Sequence, residues 1–252
     1  MLLAPLVELG ALGRLLWDAL RLGVRPPYRW RLLVQHLEFV GVGSVFLVGL
    51  TGFFVGAVLG LQLVDGFRQF RAENQTGAVV ALALTRELAP VFTALMVTSR
   101  AGSAIATELG SMKVTQQVDA LLMMAVEPVQ YLVSPRLLAG AIALPVLTML
   151  FTLVAMTGAY GVAVGLMGID PGIFLERARW LVDPPDVVQG LLKAGVFGVA
   201  LVLIACRQGL DASGGAAGVG RATNRAVVHA AVAILALDYV LTSIVLGTGS
   251  PF

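Results

Sequence analysis

At 252 residues, 58% hydrophobic and 13% charged, with a mean hydropathy of +0.90, the chain is too apolar for a water-soluble domain, in which roughly 25% of residues carry charge. A formal net charge of +2 gives no basis for nucleic-acid binding, and a single cysteine, Cys206, excludes an internal disulfide. Several apolar runs reach the ~20 residues needed to cross a bilayer. The expected fold is an all-α integral membrane protein, one domain over residues 1–252.

Residues 2–22 are leucine-rich but interrupted by Glu8, Arg14, Asp18 and Arg21. At about 100° per residue these four fall in an arc of roughly 140°, as in a helix lying in the membrane interface. No basic leader with a small-residue cleavage site precedes it, so removal of this segment is not expected. Arg25, Pro26, Pro27, Arg29 and Arg31 form a basic, helix-breaking connector, and a half-amphipathic stretch, 30–42, leads into the membrane. Residues 1–43 are therefore read as an interfacial segment and 44–246 as the membrane core.

The first span, 44–64, has no charge, and Gly49, Gly52, Gly56 and Gly60 recur at three- and four-residue spacing, which favours close helix approach in lipid. The second begins near Ala78. The third is expected over 136–167, with Pro145 as a kink. A short surface helix around Glu176, Arg177, Arg179 and Trp180 precedes a fourth span at 187–205. A glycine-rich loop at 207–225 leads to a fifth span at 226–246.

Five spans place the termini on opposite sides. With the N-terminus inside, the inner segments carry Arg14, Arg21, Arg25, Arg29, Arg31, Lys113, Arg136, Arg207, Arg221 and Arg225. The outer loops carry only Arg68, Arg71, Arg177 and Arg179. Basic residues gather on the cytoplasmic side, so the N-terminus is expected inside and the C-terminus outside.

The second span carries charge where a span should not. Arg86 and Glu87 lie about 12 Å below Ala78, where each ion costs at least ~2.5 kcal/mol. Adjacent helix positions point about 100° apart, so the two cannot neutralise each other face to face. Pro90 removes a helical hydrogen bond and crowds the carbonyl of Arg86. Lys193, about 9 Å below Val187, reaches a similar depth and is a possible partner for Glu87, with snorkelling to the interface as the competing outcome. Asp238 lies near the middle of the fifth span. These residues either fix helix packing or line a polar cavity.

On a continuous helix, Arg100 and Glu108 would follow within about 40° of Arg86. Residues 78–109 would then extend about 48 Å, beyond a ~30 Å hydrocarbon core, so the lower end should leave the membrane. Beyond Gly110, Thr115 is expected to cap a short helix from Gln116 to Met124, closed by Glu127 and Pro128. Val118, Leu121, Leu122 and Met124 supply its apolar contacts, and Gln116, Gln117 and Asp119 its polar ones. There is no P-loop, zinc-protease or nucleophile-elbow motif, and His36 and His229 are too few for a metal cluster.

The stretch TRELAPVFTALMVTSRAGSAIATELGSMKVTQQVDAL resembles the signature of the MlaE/YrbE family, the permease subunits of ABC phospholipid transporters that work with MCE-domain proteins. CRQGLDASGGAAGVGRATNRAVV, continuing into LALDYVLT, resembles the same family's C-terminal signature. The resemblance implies a non-catalytic homodimeric permease of the inner membrane, without a cofactor, joined to two cytoplasmic ATPase subunits and a periplasmic MCE-domain protein. It implies that the N-terminal helix is an elbow helix and that Val114–Met124 is a coupling helix docking on the ATPase. It also implies a lipid cavity near Arg86, Glu87 and Lys193. Gln116 departs from the family, in which many members have Glu. The alternative from the residues alone is an ion-coupled secondary transporter using Glu87 and Asp238.

Overall fold

The computed structural model describes residues 4–23 and 30–247. Among them there is no strand, and five helical segments are long and apolar enough to cross a membrane: Trp30–Arg68, Glu73–Val114, Val129–Gly165, Pro184–Leu210 and Gly215–Val245. The connector residues Arg25, Pro26, Pro27 and Arg29 lie outside the described residues.

Helix α1 (Ala4–Gly23) precedes the spans. Leu12, Leu15 and Leu16 pack against the core and Ala19 is buried, while Arg14, Trp17, Asp18 and Arg21 are exposed. Ser134 Oγ donates to the Ala19 carbonyl at 2.8 Å, tying α1 to the start of the third span. Helix α2 (Trp30–Val40) and a short turn at Val42–Ser44 lead into α3 (Val45–Arg68).

Three of the four glycines expected to permit close packing do so. Gly52, Gly56 and Gly60 of α3 are buried against Phe151, Ala155 and Ala159 of α8 (Ser134–Gly165). A Cβ at Gly56 would overlap the backbone of Ala155, and one at Gly158 would overlap the Phe53 carbonyl. Gly49 points into open space, because its three-residue offset from Gly52 carries it off the four-residue stripe. Pro145 lies within α8, which runs on as one helix to Gly165.

The second span is not one α-helix. It runs through α4 (Thr76–Ala83), a π-helical turn at Leu84–Leu88, α5 (Ala89–Val97), a second π turn at Thr98–Gly102, and α6 (Ser103–Val114). A π turn takes more residues per revolution, so the phase beyond each one departs from the regular α-helical projection. Arg86, Arg100 and Glu108 accordingly turn to three different neighbours. Arg100 Nη1 donates to the Phe39 carbonyl at 2.8 Å and to Ser44 Oγ at 3.1 Å, holding α2 against the span.

Gly110 does not end this helix; it is buried within α6, where an added Cβ would press Ala212 and Val219. The glycine-rich run is likewise mostly helical. α10 (Pro184–Leu210) and α11 (Gly215–Gly247) leave only a short connection between them. An added Cβ at Gly209 would crowd Leu109 and Ala106, so close packing against α6 outweighs the low helix propensity of the glycines here. Helix α9 (Pro171–Leu181) is capped by Asp170, whose Oδ1 accepts from Gly172 N at 2.8 Å and Ile173 N at 3.0 Å. It buries Phe174 edge-on to Tyr160.

The α3–α8 contact sets the first test. Gly56→Leu should lower thermal stability by roughly 2 kcal/mol or more through overpacking, whereas Gly49→Leu should change it little. Thermal midpoints from fluorescence-detected gel filtration distinguish the two; equal loss would contradict the backbone contact.

Candidate functional site: an ion cluster between three spans

The π turn at Leu84–Leu88 sits directly ahead of Pro90, which cannot donate the backbone hydrogen bond that a regular α-helix would require. The turn presents Arg86 and Glu87 to different helices. Arg86 Nε donates to Asp186 Oδ1 at 2.7 Å, and Nη2 lies against the same oxygen. Asp186 is buried, and its second oxygen accepts from Asp183 N at 3.0 Å within the capping box that opens α10. The one carboxylate therefore caps the fourth span and anchors the second.

Glu87 faces Lys193, so the Glu87–Lys193 partnership open in the sequence is the one formed. The ammonium lies 2.6 Å from Glu87 Oε2, 3.0 Å from Asp238 Oδ1 and 2.7 Å from Thr242 Oγ1. Three acceptors fill the three donors of a lysine. The Thr242 hydroxyl turns back to Glu87 at 3.3 Å and closes the group. Lys193 is 3% exposed, while Glu87 and Asp238 keep 36% and 22% of their side chains accessible. Lys193 does not snorkel: its ammonium is buried among these three partners.

The two sets hold two cations, Arg86 and Lys193, against three carboxylates, Glu87, Asp186 and Asp238. Beside them is a cavity of about 530 Å³ whose walls are Pro184, Pro185, Val188, Leu192, Val196, Leu241 and Val245, with Gln189 and Lys193 as its polar members. Of the four charged candidates, only Lys193 reaches this wall; Arg86, Glu87 and Asp238 stand behind it. Gln189 Oε1 is buried without a hydrogen-bond partner at the same wall. Among the described residues no group of His, Cys, Asp and Glu could hold a metal ion.

Sequence reasoning missed Asp186, Thr242 and Gln189. Asp186 read as part of a polar loop, although Asp183-Pro184-Pro185-Asp186 has the N-cap and N3 carboxylates of a helix start. Thr242 follows Asp238 by one helical turn and so shares its face.

At the other end of the second span, Arg136 is buried and its Nη2 pairs with Glu108 at 2.8 Å, while Nη1 donates to the Leu132 carbonyl at 2.6 Å. This pair brackets a protruding segment. α6 ends at Val114, and Thr115 turns its hydroxyl back to the Ser111 carbonyl at 2.8 Å instead of capping the next helix. Gln116 takes a left-handed conformation (φ 60°), and α7 covers Gln117–Met123, with Met124 as its C-cap. Val118 is buried and Leu121 packs on the core, whereas Gln117, Leu122, Met123 and Met124 are exposed. Asp119 pairs with Lys113 at 3.0 Å. Met123, 91% exposed, is an apolar contact that the sequence reading did not single out.

Five apolar spans, charges paired inside the bundle and a cavity opening between two of the spans define a multi-pass α-helical membrane protein with a polar site in its membrane interior. The family model for "Permease MlaE" matches residues 33–244. The chain is 42% identical to "Intermembrane phospholipid transport system permease protein MlaE" of Haemophilus influenzae, over 96% of this chain and 93% of that protein. It is also 42% identical to a "Probable ABC transporter permease protein" of Rickettsia felis, over 88% of this chain and 85% of that one. "Protein TRIGALACTOSYLDIACYLGLYCEROL 1, chloroplastic" of Arabidopsis thaliana is 39% identical over 85% of this chain and 61% of its own length. The chain belongs to the MlaE permease family.

Removing the ammonium alone should be costly. Lys193→Met leaves Glu87 and Asp238 facing each other and should destabilise the protein by roughly 3 kcal/mol, as breaking one side of a buried pair does. Adding Glu87→Gln and Asp238→Asn should recover most of that loss, measured as the thermal midpoint. No recovery would mean that Lys193 acts through packing and not through charge.

Proposed function

We propose that this chain is the membrane permease of an ABC transporter that moves phospholipid, with the ion cluster and its apolar cavity as the substrate-facing site. The observation that carries the reading is Lys193, held by Glu87, Asp238 and Thr242 at the wall of the 530 Å³ cavity. In this reading an incoming phosphate head group takes over from Thr242 as one of the three acceptors of the ammonium, and the Val188, Leu192 and Val196 wall suits acyl chains. Arg86, joined to Asp186, supplies a second cation close behind.

The site does no bond chemistry in this reading; the energy comes from two cytoplasmic ATPase subunits. Val114, Thr115, Gln116 and α7 form the coupling element. Its exposed Leu122, Met123 and Met124 enter an apolar groove on the ATPase, and the Glu108–Arg136 pair carries movement into the second and third spans. The permease works as a homodimer in the inner membrane, with α1 as an elbow helix at the cytoplasmic interface. The N-terminus lies inside and the C-terminus lies on the periplasmic side, where an MCE-domain protein exchanges the lipid. The names of the Haemophilus and Rickettsia relatives support the transport reading, and the excess of basic residues in the inner segments supports the orientation.

Two experiments test this. The neutral variant Glu87→Gln/Lys193→Met/Asp238→Asn should transfer fluorescent phospholipid at least about tenfold more slowly in proteoliposomes containing the ATPase, since charge-assisted contacts are worth ~1.5–3 kcal/mol. The ATPase should still co-purify; transfer at the wild-type rate would overturn the site. Replacing Asp119 and Leu122 with Ala should instead reduce ATPase co-purification, and undiminished recovery would remove α7 from the coupling role.

A further inference from the structure

The Lys193 cavity lies between the first half of α10 and the last turns of α11. On α10 it is walled by Val188, Leu192 and Val196, whereas Ile204 and Gln208 lie toward the other end of that helix. On α11 it meets Leu241 and Val245, whereas His229 and Ala233 lie about three turns earlier. A second cavity of about 340 Å³ lies at this other end. Gln208 is fifteen residues beyond Lys193, or about 22 Å along a helix. That distance covers most of a ~30 Å hydrocarbon core, so the two cavities lie toward opposite ends of the fourth span.

The second cavity has a polar head and an apolar body. At the head, Gln208 Nε2 donates to Glu8 Oε1 at 3.0 Å and lies 3.3 Å from His229 Nδ1. Glu8 and His229 are 3.5 Å apart, each a little under half exposed, whereas Gln208 is 6% exposed. The body is formed by Leu12, Ile204, Val232 and Ala236. The pieces come from three elements, α1, α10 and α11, so only the assembled fold makes the site. Arg225 is exposed one helical turn from His229 on α11.

We propose that this cavity receives an amine-headed glycerophospholipid from the leaflet opposite the Lys193 cavity; the leaflet assignment rests on the permease reading above. A primary ammonium donates up to three hydrogen bonds, and Glu8 offers a partly accessible carboxylate positioned by Gln208. Arg225, exposed one turn from His229, is the cation assigned to the lipid phosphate, and Leu12, Ile204 and Val232 take the upper part of an acyl chain. A choline head group has no N–H to give Glu8, and an anionic head would face a carboxylate. The site thus selects for the amine.

The test uses the permease–ATPase complex in nanodiscs containing equal ethanolamine and choline phospholipid, with bound lipid read by native mass spectrometry. Wild type should retain the ethanolamine lipid over the choline lipid by about tenfold, the scale of one charge-assisted hydrogen bond. Glu8→Gln should abolish the preference and Glu8→Asp should keep it. Ala236→Trp, which fills the apolar body, should lose the lipid. An unchanged preference in both Glu8→Gln and Ala236→Trp would overturn the proposal. So would a photo-crosslinker at Val232 that captures a second copy of this chain in place of lipid. The neutral variant at Lys193 should retain this preference while losing transfer. If it instead transfers lipid normally, the permease site above fails, and the ethanolamine-to-choline ratio still decides the Glu8 site.

Discussion

A lysine ammonium buried among three membrane helices is the constraint on which the rest of this structure depends. Lys193 on α10 is held by Glu87 of the second span and by Asp238 and Thr242 of α11. Each ion would cost at least ~2.5 kcal/mol alone in the hydrocarbon, and together they offset that cost by joining three spans at one point. The π turn before Pro90 makes this possible, because it directs Glu87 to Lys193 and Arg86 to Asp186. Removing the turn's extra residue would rotate one of the two away from its partner.

Close backbone packing supplies the frame around that point. Gly52, Gly56 and Gly60 bring α3 against α8, and Gly140 meets Gly198 where α8 crosses α10. Little apolar driving force exists between helices in lipid, so contact of this kind, together with the ion pairs, holds the bundle. The α10–α11 side is different. Two separate cavities lie along these helices, and Leu192 and Val232 are exposed at their walls. A packed half and an open half give the molecule a fixed wall and a surface able to receive a ligand or a second subunit. The Glu108–Arg136 pair ties the second and third spans at the far end, next to the protruding α7.

Much of this was legible in the sequence because charge in an apolar run is a strong anomaly. Arg86, Glu87, Lys193 and Asp238 stood out for that reason, and Pro90 marked the place where the helix becomes irregular. Asp186 did not stand out, since a carboxylate in a polar, proline-bearing stretch looks like loop; only the tertiary contact with Arg86 reveals its second role. The glycine-rich stretch after Arg207 read as loop from propensity alone, whereas close contact with α6 makes it the end of α10 and the beginning of α11. Thr115 had the chemistry of an N-cap but follows a helix that continues to Val114, so its hydroxyl binds backward to Ser111. The cluster of Glu8, Gln208 and His229 joins residues some two hundred positions apart, which no local pattern brings together.

The central claim is that the Lys193 cavity holds lipid and responds to an ATPase outside the membrane. The most direct measurement places a photo-crosslinking residue at Leu192, on the cavity wall, and for comparison at Phe46, which is 80% exposed on α3. Phospholipid adducts would be quantified with the ATPase idle and with it arrested by vanadate. The expected result is a severalfold change in adduct at Leu192 with none at Phe46, on the order of a 1 kcal/mol coupling. Equal behaviour at the two positions would contradict the claim.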